Sequence, residues 1–457
     1  TLFTYQVTHL FFGFNPIPYH VGNVLLHFGS AVAILLILQR LTQKRFLAFL
    51  CALLFALHPL NTEAVMWAAA RKDVLATCFG LFSLLCMLRG SDGEEKFTWN
   101  TSAVLFGLGL LSKVSIVTIP IAFLVIEWWR GRLQLSSFRQ LLPHWVLCVI
   151  FGVIALIGKT RVIGSSEPIE TLLLIARSTL FYFEKIFFPI GLSVVYPADR
   201  PVLLTQPLIA FSIAFVVFLV VAAFLSKKRY PAITAAILLW ALFLLPNETN
   251  FSKNGFLFFA SDRYAYLAAI SILAIIAAFI TYVAELAREK QKLLVQGAVT
   301  VVLTLALGGI SFVQAKTWEN SETMYENVLR FYPNSALALN NMGNYWMKAG
   351  REEEAEVAFR KALALDPGQM SANINMGNLE RERANIEESE KYYRTAMETI
   401  DKKDFVNLDE LAPYYFLVRL FDEKGERNTA VEFFQKAIDK APHYAEPRYN
   451  LGVQLQK

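Results

Sequence analysis

His58, Glu63, Arg71, Lys72 and Asp73 crowd into one connection between two apolar segments, residues 46–57 and 74–88. A turn that only reverses the chain needs Gly, Pro or Asn, and charge beside hydrocarbon is costly enough to mark function. Carboxylates next to cations suit the transfer of a group onto a hydroxyl. That reaction needs a base for the acceptor proton and positive charge for a departing phosphate. Glu63 and Asp73 are the available carboxylates, to orient an acceptor or hold a helper ion. Each fits equally as half of a salt bridge with Arg71, Lys72 or Arg263. Arg263, Lys113 and Arg71 are the phosphate candidates, because guanidinium offers paired donors to phosphate oxygens, with Lys72, Asp262 and Tyr264 beside them. Lys113 also reads as an interfacial anchor, His58 as a residue bonding its own turn, and Tyr264 and Tyr266 as members of an aromatic belt. Asp199 is a weaker candidate.

The elements that position these residues are apolar. Of 457 residues, 55% are hydrophobic and the mean hydropathy is +0.42, above an ordinary soluble chain. Long apolar blocks separated by short basic ones run from residue 19 to 313, and the chain is polar and charged from 317 onwards. The formal charge of +5 lies in the short loops of the apolar half and does not point to nucleic acid. Cys51, Cys78, Cys86 and Cys148 all sit in apolar segments without metal or disulfide spacing. Spans are expected at 20–39, 46–58, 74–89, 99–112, 115–129, 143–158, 207–225, 232–246, 264–284 and 293–313. Starting residue 19 on the outer face puts Arg40/Lys44/Arg45, Arg89/Lys96, Arg130/Arg132/Arg139, Lys227/Lys228/Arg229 and Arg288/Lys290/Lys292 on the cytoplasmic side, as the positive-inside rule asks. The outer face then receives the 58–73 connection, Lys113, the loops 159–206 (with Asp199 and Arg200) and 247–263 (with Glu248 and Lys253), and the C-terminal region. Residues 1–14 and 171–188 read as amphipathic helices lying on the interface. No signal peptide is read, and the start looks as though a preceding segment were absent. A transporter would bury charge at mid-span, and these spans carry almost none.

The polar region repeats every 34 residues. Leu339, Met342, Gly343, Trp346, Ala355, Phe359, Ala362 and Pro367 form one helix–turn–helix tetratricopeptide (TPR) unit. Met376, Gly377, Tyr393 and Ala396 begin the next, Ala430, Phe434, Ala437 and Pro442 mark a third, and Leu451-Gly452 opens a partial fourth. Such arrays offer a concave surface for an extended peptide; a purely structural or oligomerising array is the other reading. The expectation is an all-α chain, with a multispan membrane domain at 1–316 followed by a TPR α-solenoid at 317–457.

Taken together, Gly13-Phe-Asn-Pro16, Tyr19-His-Val-Gly-Asn-Val-Leu-Leu-His27, Leu57-His-Pro59, Thr62-Glu-Ala-Val65 and Arg71-Lys-Asp73 resemble the transmembrane-and-TPR O-mannosyltransferase family and its bacterial relatives. Leu111-Ser-Lys113, Leu245-Pro-Asn247, Asp262-Arg-Tyr264 and Trp318-Glu-Asn-Ser-Glu322 extend the resemblance over nearly the whole chain. It implies a GT-C glycosyltransferase fold, taking a sugar, mannose by the resemblance, from a polyprenyl-phosphate carrier at the outer membrane face. Two departures stand out. The family's acidic first outer loop is expected upstream of Thr1, with the main catalytic carboxylate, and relatives carry Lys-Glu where this chain has Lys113-Val114.

The expected function is transfer of that sugar to a protein hydroxyl on the outer or lumenal face, with the TPR groove holding the acceptor or a partner. The alternative is a non-catalytic, membrane-anchored TPR scaffold. The expected partners are the polyprenyl-phosphate sugar, a protein or peptide acceptor and membrane lipids. No cofactor is expected beyond the lipid-linked donor, and the metal requirement is open. The membrane is the bacterial inner membrane or that of the endoplasmic reticulum. The sharpest expectation is spatial: His58, Glu63, Arg71, Asp73, Lys113 and Arg263 surround one outer-facing cavity.

Overall fold

The computed structural model describes residues 1–94, 97–159, 168–197, 202–248, 258–402 and 406–456. Asp199, Arg200 and Lys253 lie outside the described residues, as does the side chain of Glu248. The chain divides into two compact units, Thr1–Glu319 and Asn320–Lys457. Both are built of helices; the described strands are β1 (Tyr196–Pro197) and β2 (Phe258–Ala260), one short antiparallel pair with Tyr196 opposite Ala260.

In the first unit the helices are α1 (Leu2–Phe12), α2 (Pro16–Thr42), α3 (Arg45–Leu57), α4 (Thr62–Met66), α5 (Arg71–Ser91), α6 (Phe97–Ser112), α7 (Ile119–Trp129), α8 (Leu135–Gln140), α9 (Leu142–Lys159), α10 (Pro168–Phe187), α11 (Pro207–Ser226), α12 (Pro231–Glu248), α13 (Ala269–Glu285) and α14 (Glu289–Lys316). Four stretches are long and apolar enough to cross a membrane: Pro16–Thr42, Ala68–Ser91, Pro207–Ser226 and Glu289–Lys316. α3 with Pro59–Met66 adds a fifth as a pair bent by 52°. Four shorter apolar helices are Val114–Trp129, Leu142–Ile157, Pro231–Asn247 and Ala269–Glu285. α14 buries none of its side chains and exposes Leu293, Leu294, Val301, Leu305 and Phe312. Such a surface is at home in hydrocarbon, where the helix satisfies its own backbone. α1 is likewise unburied, showing Leu2, Phe3, Leu10 and Phe11.

The bend after α3 has a local cause. Pro59 lacks the N–H that the carbonyl of Phe55 would accept in a continuing helix. Asn61 Nδ2 donates to that carbonyl instead, at 2.7 Å. His58 Nδ1 accepts from Leu60 N at 3.2 Å and caps the turn Pro59–Asn61. The chain thus re-enters as α4, which carries Glu63. The segment expected as a span from residue 264 begins differently: Asp262–Ala265 is a 3-10 turn, and the regular helix starts only at Ala269.

The second unit stacks α15 (Ser321–Phe331), α16 (Ala336–Lys348), α17 (Glu352–Leu365), α18 (Met370–Glu382), α19 (Ile386–Asp401), α20 (Ala412–Glu423), α21 (Arg427–Lys440) and α22 (Glu446–Gln456). The repeat glycines have a packing reason. A Cβ on Gly343 would lie 2.6 Å from the Phe359 ring, and one on Gly377 would lie 2.5 Å from the Tyr393 ring. The aromatic ring of the second helix fills the space that glycine leaves on the first.

Candidate active site

The turn 261–266 is gripped from several directions. Ser261 N donates to Tyr182 Oη, and Tyr182 Oη donates to Ser261 O, both at 3.0 Å. Asn247 Nδ2, at the end of α12, donates to Tyr264 O at 3.1 Å. Tyr196 Oη, on β1, donates to Asp262 Oδ1 at 2.7 Å and accepts from Ser193 N at 2.8 Å. α10, α12 and the strand pair therefore fix the backbone on which Arg263 stands.

Glu63 completes the grip from α4. Its buried carboxylate accepts from Ser261 Oγ at 2.8 Å, from Arg263 N at 3.0 Å and from the Arg263 guanidinium. Arg263 also lies 4.7 Å from the centre of the Trp67 ring and 5.0 Å from that of Tyr264, a cation–π arrangement strengthened by burial. Three donors on one carboxylate make Glu63 the residue that holds Arg263, rather than a free base. Burial, and then the negative charge of Glu63, push the Asp262 carboxyl well above the usual carboxylate range.

A second ion pair stands beside Tyr264. Asp73, in the first turn of α5, pairs with Lys113 at the junction between α6 and the turn Val114–Thr118. Lys113 Nζ is 5.2 Å from the Tyr264 ring centre, so that ring faces both cations. Burial lowers the Lys113 pKa, while the charge of Asp73 acts in the opposite direction. The positive charges of Arg263 and Lys72 bear on Lys113 as well, and Lys72 itself is exposed. Asp73 Oδ1 receives the lysine; Oδ2 is buried without a hydrogen-bond partner among the described residues. A carboxylate oxygen left bare in this way can accept a further hydrogen bond.

Glu63, Asp73, Lys113, Asp262, Arg263 and Tyr264 are thus drawn into one charged neighbourhood. Arg71 and His58 are not. Arg71 donates to Asn23 Oδ1 at 3.1 Å, Thr8 Oγ1 at 3.0 Å, Thr4 O at 3.3 Å and Tyr19 O at 2.8 Å, and stacks against Tyr5 and Tyr19. Its donors tie α1 and the start of α2 to α5. Nη2 would lie 3.1 Å from a Cβ placed on Gly22, which explains the glycine there. Buried His58 is spent on its turn and, through Nε2, on the carbonyl of Ile186 at 2.9 Å. Tyr266 is bonded to His27 Nδ1 at 2.6 Å and is buried inside the bundle. Tyr182, Tyr196 and Ser261 are not among the site residues expected from the sequence. No spacing pairs Tyr196 with Asp262, and the only signal was a polar aromatic in a loop already rich in turns.

Residues 2–157 match the family model described as dolichyl-phosphate-mannose-protein mannosyltransferase, and residues 336–369 match that of the tetratricopeptide repeat. Among curated proteins, Protein O-mannosyl-transferase TMTC2 of Mus musculus is 29% identical over 168 residues, 32% of this chain and 20% of its own. Protein O-mannosyl-transferase TMTC1 of Mus musculus is 41% identical over 81 residues, 18% of this chain and 9% of its own. Protein O-mannosyl-transferase F38B6.6 of Caenorhabditis elegans is 22% identical over 368 residues, 75% of this chain and 50% of its own. The chain spans half or less of the length of these relatives. It joins a mannosyltransferase-type membrane region to tetratricopeptide repeats and is homologous to the transmembrane-and-TPR protein O-mannosyl-transferases.

Proposed function

We propose that the chain serves the transfer of a mannosyl group from a polyprenyl-phosphate carrier to a hydroxyl of a protein. The reaction would take place on the membrane face that bears Glu63, Asp73, Lys113 and Arg263. The observation that carries this reading is the pair of ion pairs facing Tyr264, in a chain whose residues 2–157 match a mannosyltransferase family. In the proposed step the acceptor oxygen bonds to the anomeric carbon and loses its proton to a carboxylate. The bond from that carbon to the phosphate oxygen breaks, and the lipid phosphate leaves with the electron pair. Arg263 and Lys113 supply positive charge to the leaving phosphate. Asp73 Oδ2 takes or orients the acceptor proton, and Glu63 positions Arg263.

Topology supports the outer or lumenal side. Ser311 Oγ donates to Leu57 O at 2.7 Å, and Trp318 stacks on Trp67 at 6.3 Å. The chain therefore leaves α14 on the same face as the charged cluster, while Arg40, Lys44, Arg130 and Arg132 sit at the far ends of their helices. The repeats that follow would present an extended stretch of the acceptor. A second reading, a membrane-anchored TPR scaffold, is favoured by the fact that Glu63 and Asp73 are both already ion-paired.

The test is an assay of the full-length gene product in detergent, with a radiolabelled polyprenyl-phosphate mannose and a pool of secreted polypeptides. Label moved to protein, and lost with Arg263→Ala, supports the transferase. No transfer from any polyprenyl-phosphate sugar, while the repeats still capture peptide, leaves the scaffold.

A further inference from the structure

A second polar cluster lies at the other end of the bundle. Asp92 follows α5 directly and stands about 30 Å along that helix from Asp73, at roughly 1.5 Å per residue. Arg40 Nε, at the end of α2, donates to Asp92 at 2.5 Å; Arg132 donates at 2.6 Å, and Arg130 pairs with the same carboxylate. Arg40 also bonds Glu94 at 2.5 Å, and Arg130 bonds Glu127 at 2.8 Å. Burial pulls the Asp92 carboxyl upward, but the guanidiniums of Arg130 and Arg40 outweigh it and leave its pKa lowered. Arg132 is half exposed and shares Asp92 with two other arginines, and among the described residues Asp92 is the acid it meets, through Nη1 alone.

Two cavities meet here. One, of about 920 Å³, is lined by Arg40, Arg130 and Arg132, the amides of Gln39 and Gln43, and a single carboxylate, Asp92. The other, of about 820 Å³, runs between α2, α3, α5, α7, α12 and α13, with walls such as Ile37, Leu84, Phe243 and Ala274. Leu41 and Trp129 line both. A cation-bearing mouth therefore adjoins an apolar interior within the helix bundle, with Leu41 and Trp129 between them.

We infer that this paired cavity binds one anionic glycerophospholipid, with its phosphate on Arg132, Arg130 and Arg40 and an acyl chain in the apolar cavity. Charge complementarity selects the headgroup: among the described residues four guanidiniums, Arg40, Arg89, Arg130 and Arg132, share three carboxylates, Asp92, Glu94 and Glu127, and the surplus falls at half-exposed Arg132. Size selects the tail. The apolar cavity falls within the roughly 300–1,000 Å³ of small-ligand pockets, a volume on the scale of an acyl chain and far below that of a long polyprenyl chain. The site stands apart from the Glu63–Arg263 cluster and does not depend on the reaction proposed for it.

Native mass spectrometry of the full chain in detergent tests this, with palmitoyl-oleoyl phosphatidylglycerol, the matching phosphatidylcholine and dolichyl phosphate as probes. Phosphatidylglycerol is expected to stay bound under collisional activation that strips phosphatidylcholine. Arg132→Glu is expected to cut its bound fraction about tenfold, the scale of one charged hydrogen bond. Ala274→Trp, which fills the apolar cavity from a half-buried position, is expected to lower retention of phosphatidylglycerol without touching the mouth. Arg132→Gln, which leaves Asp92 with Arg40 and Arg130, serves as the milder variant should the charge reversal disturb folding. Equal retention of the two glycerophospholipids, indifference to Arg132→Glu and Arg132→Gln, or displacement of phosphatidylglycerol by dolichyl phosphate would each overturn the inference.

Discussion

Glu63 and Asp73 look interchangeable as letters, and the structure separates them. Glu63 is saturated by Ser261 Oγ and by the amide and guanidinium of Arg263, whereas Asp73 keeps one oxygen without a partner among the described residues. Their substitutions should therefore fail differently. Asp73→Asn should lower transfer by about 10²–10⁴, the worth of a positioned base; the Lys113 it leaves behind can shed its proton, its pKa already lowered by burial, so this variant should melt less far below the parent than Glu63→Gln. Glu63→Gln strands a buried guanidinium, and breaking such a pair costs about 3–5 kcal/mol; it should melt several degrees lower as well as losing activity. Label-transfer rates and melting curves of the two proteins, compared side by side, check this. If both lose only activity, Glu63 is not the anchor of Arg263.

Asp262 gives a prediction in pH. Its carboxyl is raised by burial and by Glu63, so the folded chain keeps a proton that the unfolded chain releases near pH 3.9 or so. The folded state then binds more protons, and its stability falls as pH rises from the ordinary carboxylate range towards the raised value. Asp262→Asn keeps an oxygen for Tyr196 Oη and removes the titrating proton. Its melting temperature should vary less between about pH 5 and 8 than the parent's. An unchanged slope would mean that Asp262 is ionised in the fold.

At the scale of elements, sequence explains the broken helix at Pro59 only in part. Proline predicts the break, but Asn61 reaching back to Phe55 O is a three-dimensional repair that no pattern announces. Asn61→Leu should leave that buried carbonyl bare at a cost of about 1–3 kcal/mol, read as a lower melting midpoint. The repeats are more legible, because their period fixes both helices and their contacts. Gly343→Ala forces a methyl into the Phe359 ring, an overpacking worth about 1–3 kcal/mol, and should lower the melting of the repeat region measured in the whole chain.

The charged residues of the first unit were legible one by one, since ionisable side chains beside apolar runs stand out. Their pairing was not. Glu63 with Arg263 was one of several salt bridges left open, and Arg71 was ranked with the phosphate binders because its type suits that task. Its actual partners, Thr4, Thr8, Tyr19 and Asn23, are uncharged groups on α1 and α2 that spacing does not connect to it.

At the scale of the whole molecule, charge distribution gives the orientation a direct test. Lys72 and Arg132 are both accessible and belong to opposite ends of the first unit's helices. Cysteines placed at these two positions, one at a time, should react with a membrane-impermeant maleimide from opposite sides of sealed microsomes. Reaction of both from one side would remove the proposed topology.

Glu63 and Arg263 lie 200 residues apart. At synthesis rates of about 5–20 residues per second, the arginine leaves the ribosome about 10–40 s after its carboxylate. Throughout that interval a glutamate destined for burial lacks the arginine it pairs with in the fold, and the turn that will cradle it does not yet exist. The nascent chain thus passes through an immature stage, in which about the first four fifths of the first unit wait for a latch supplied by its last part.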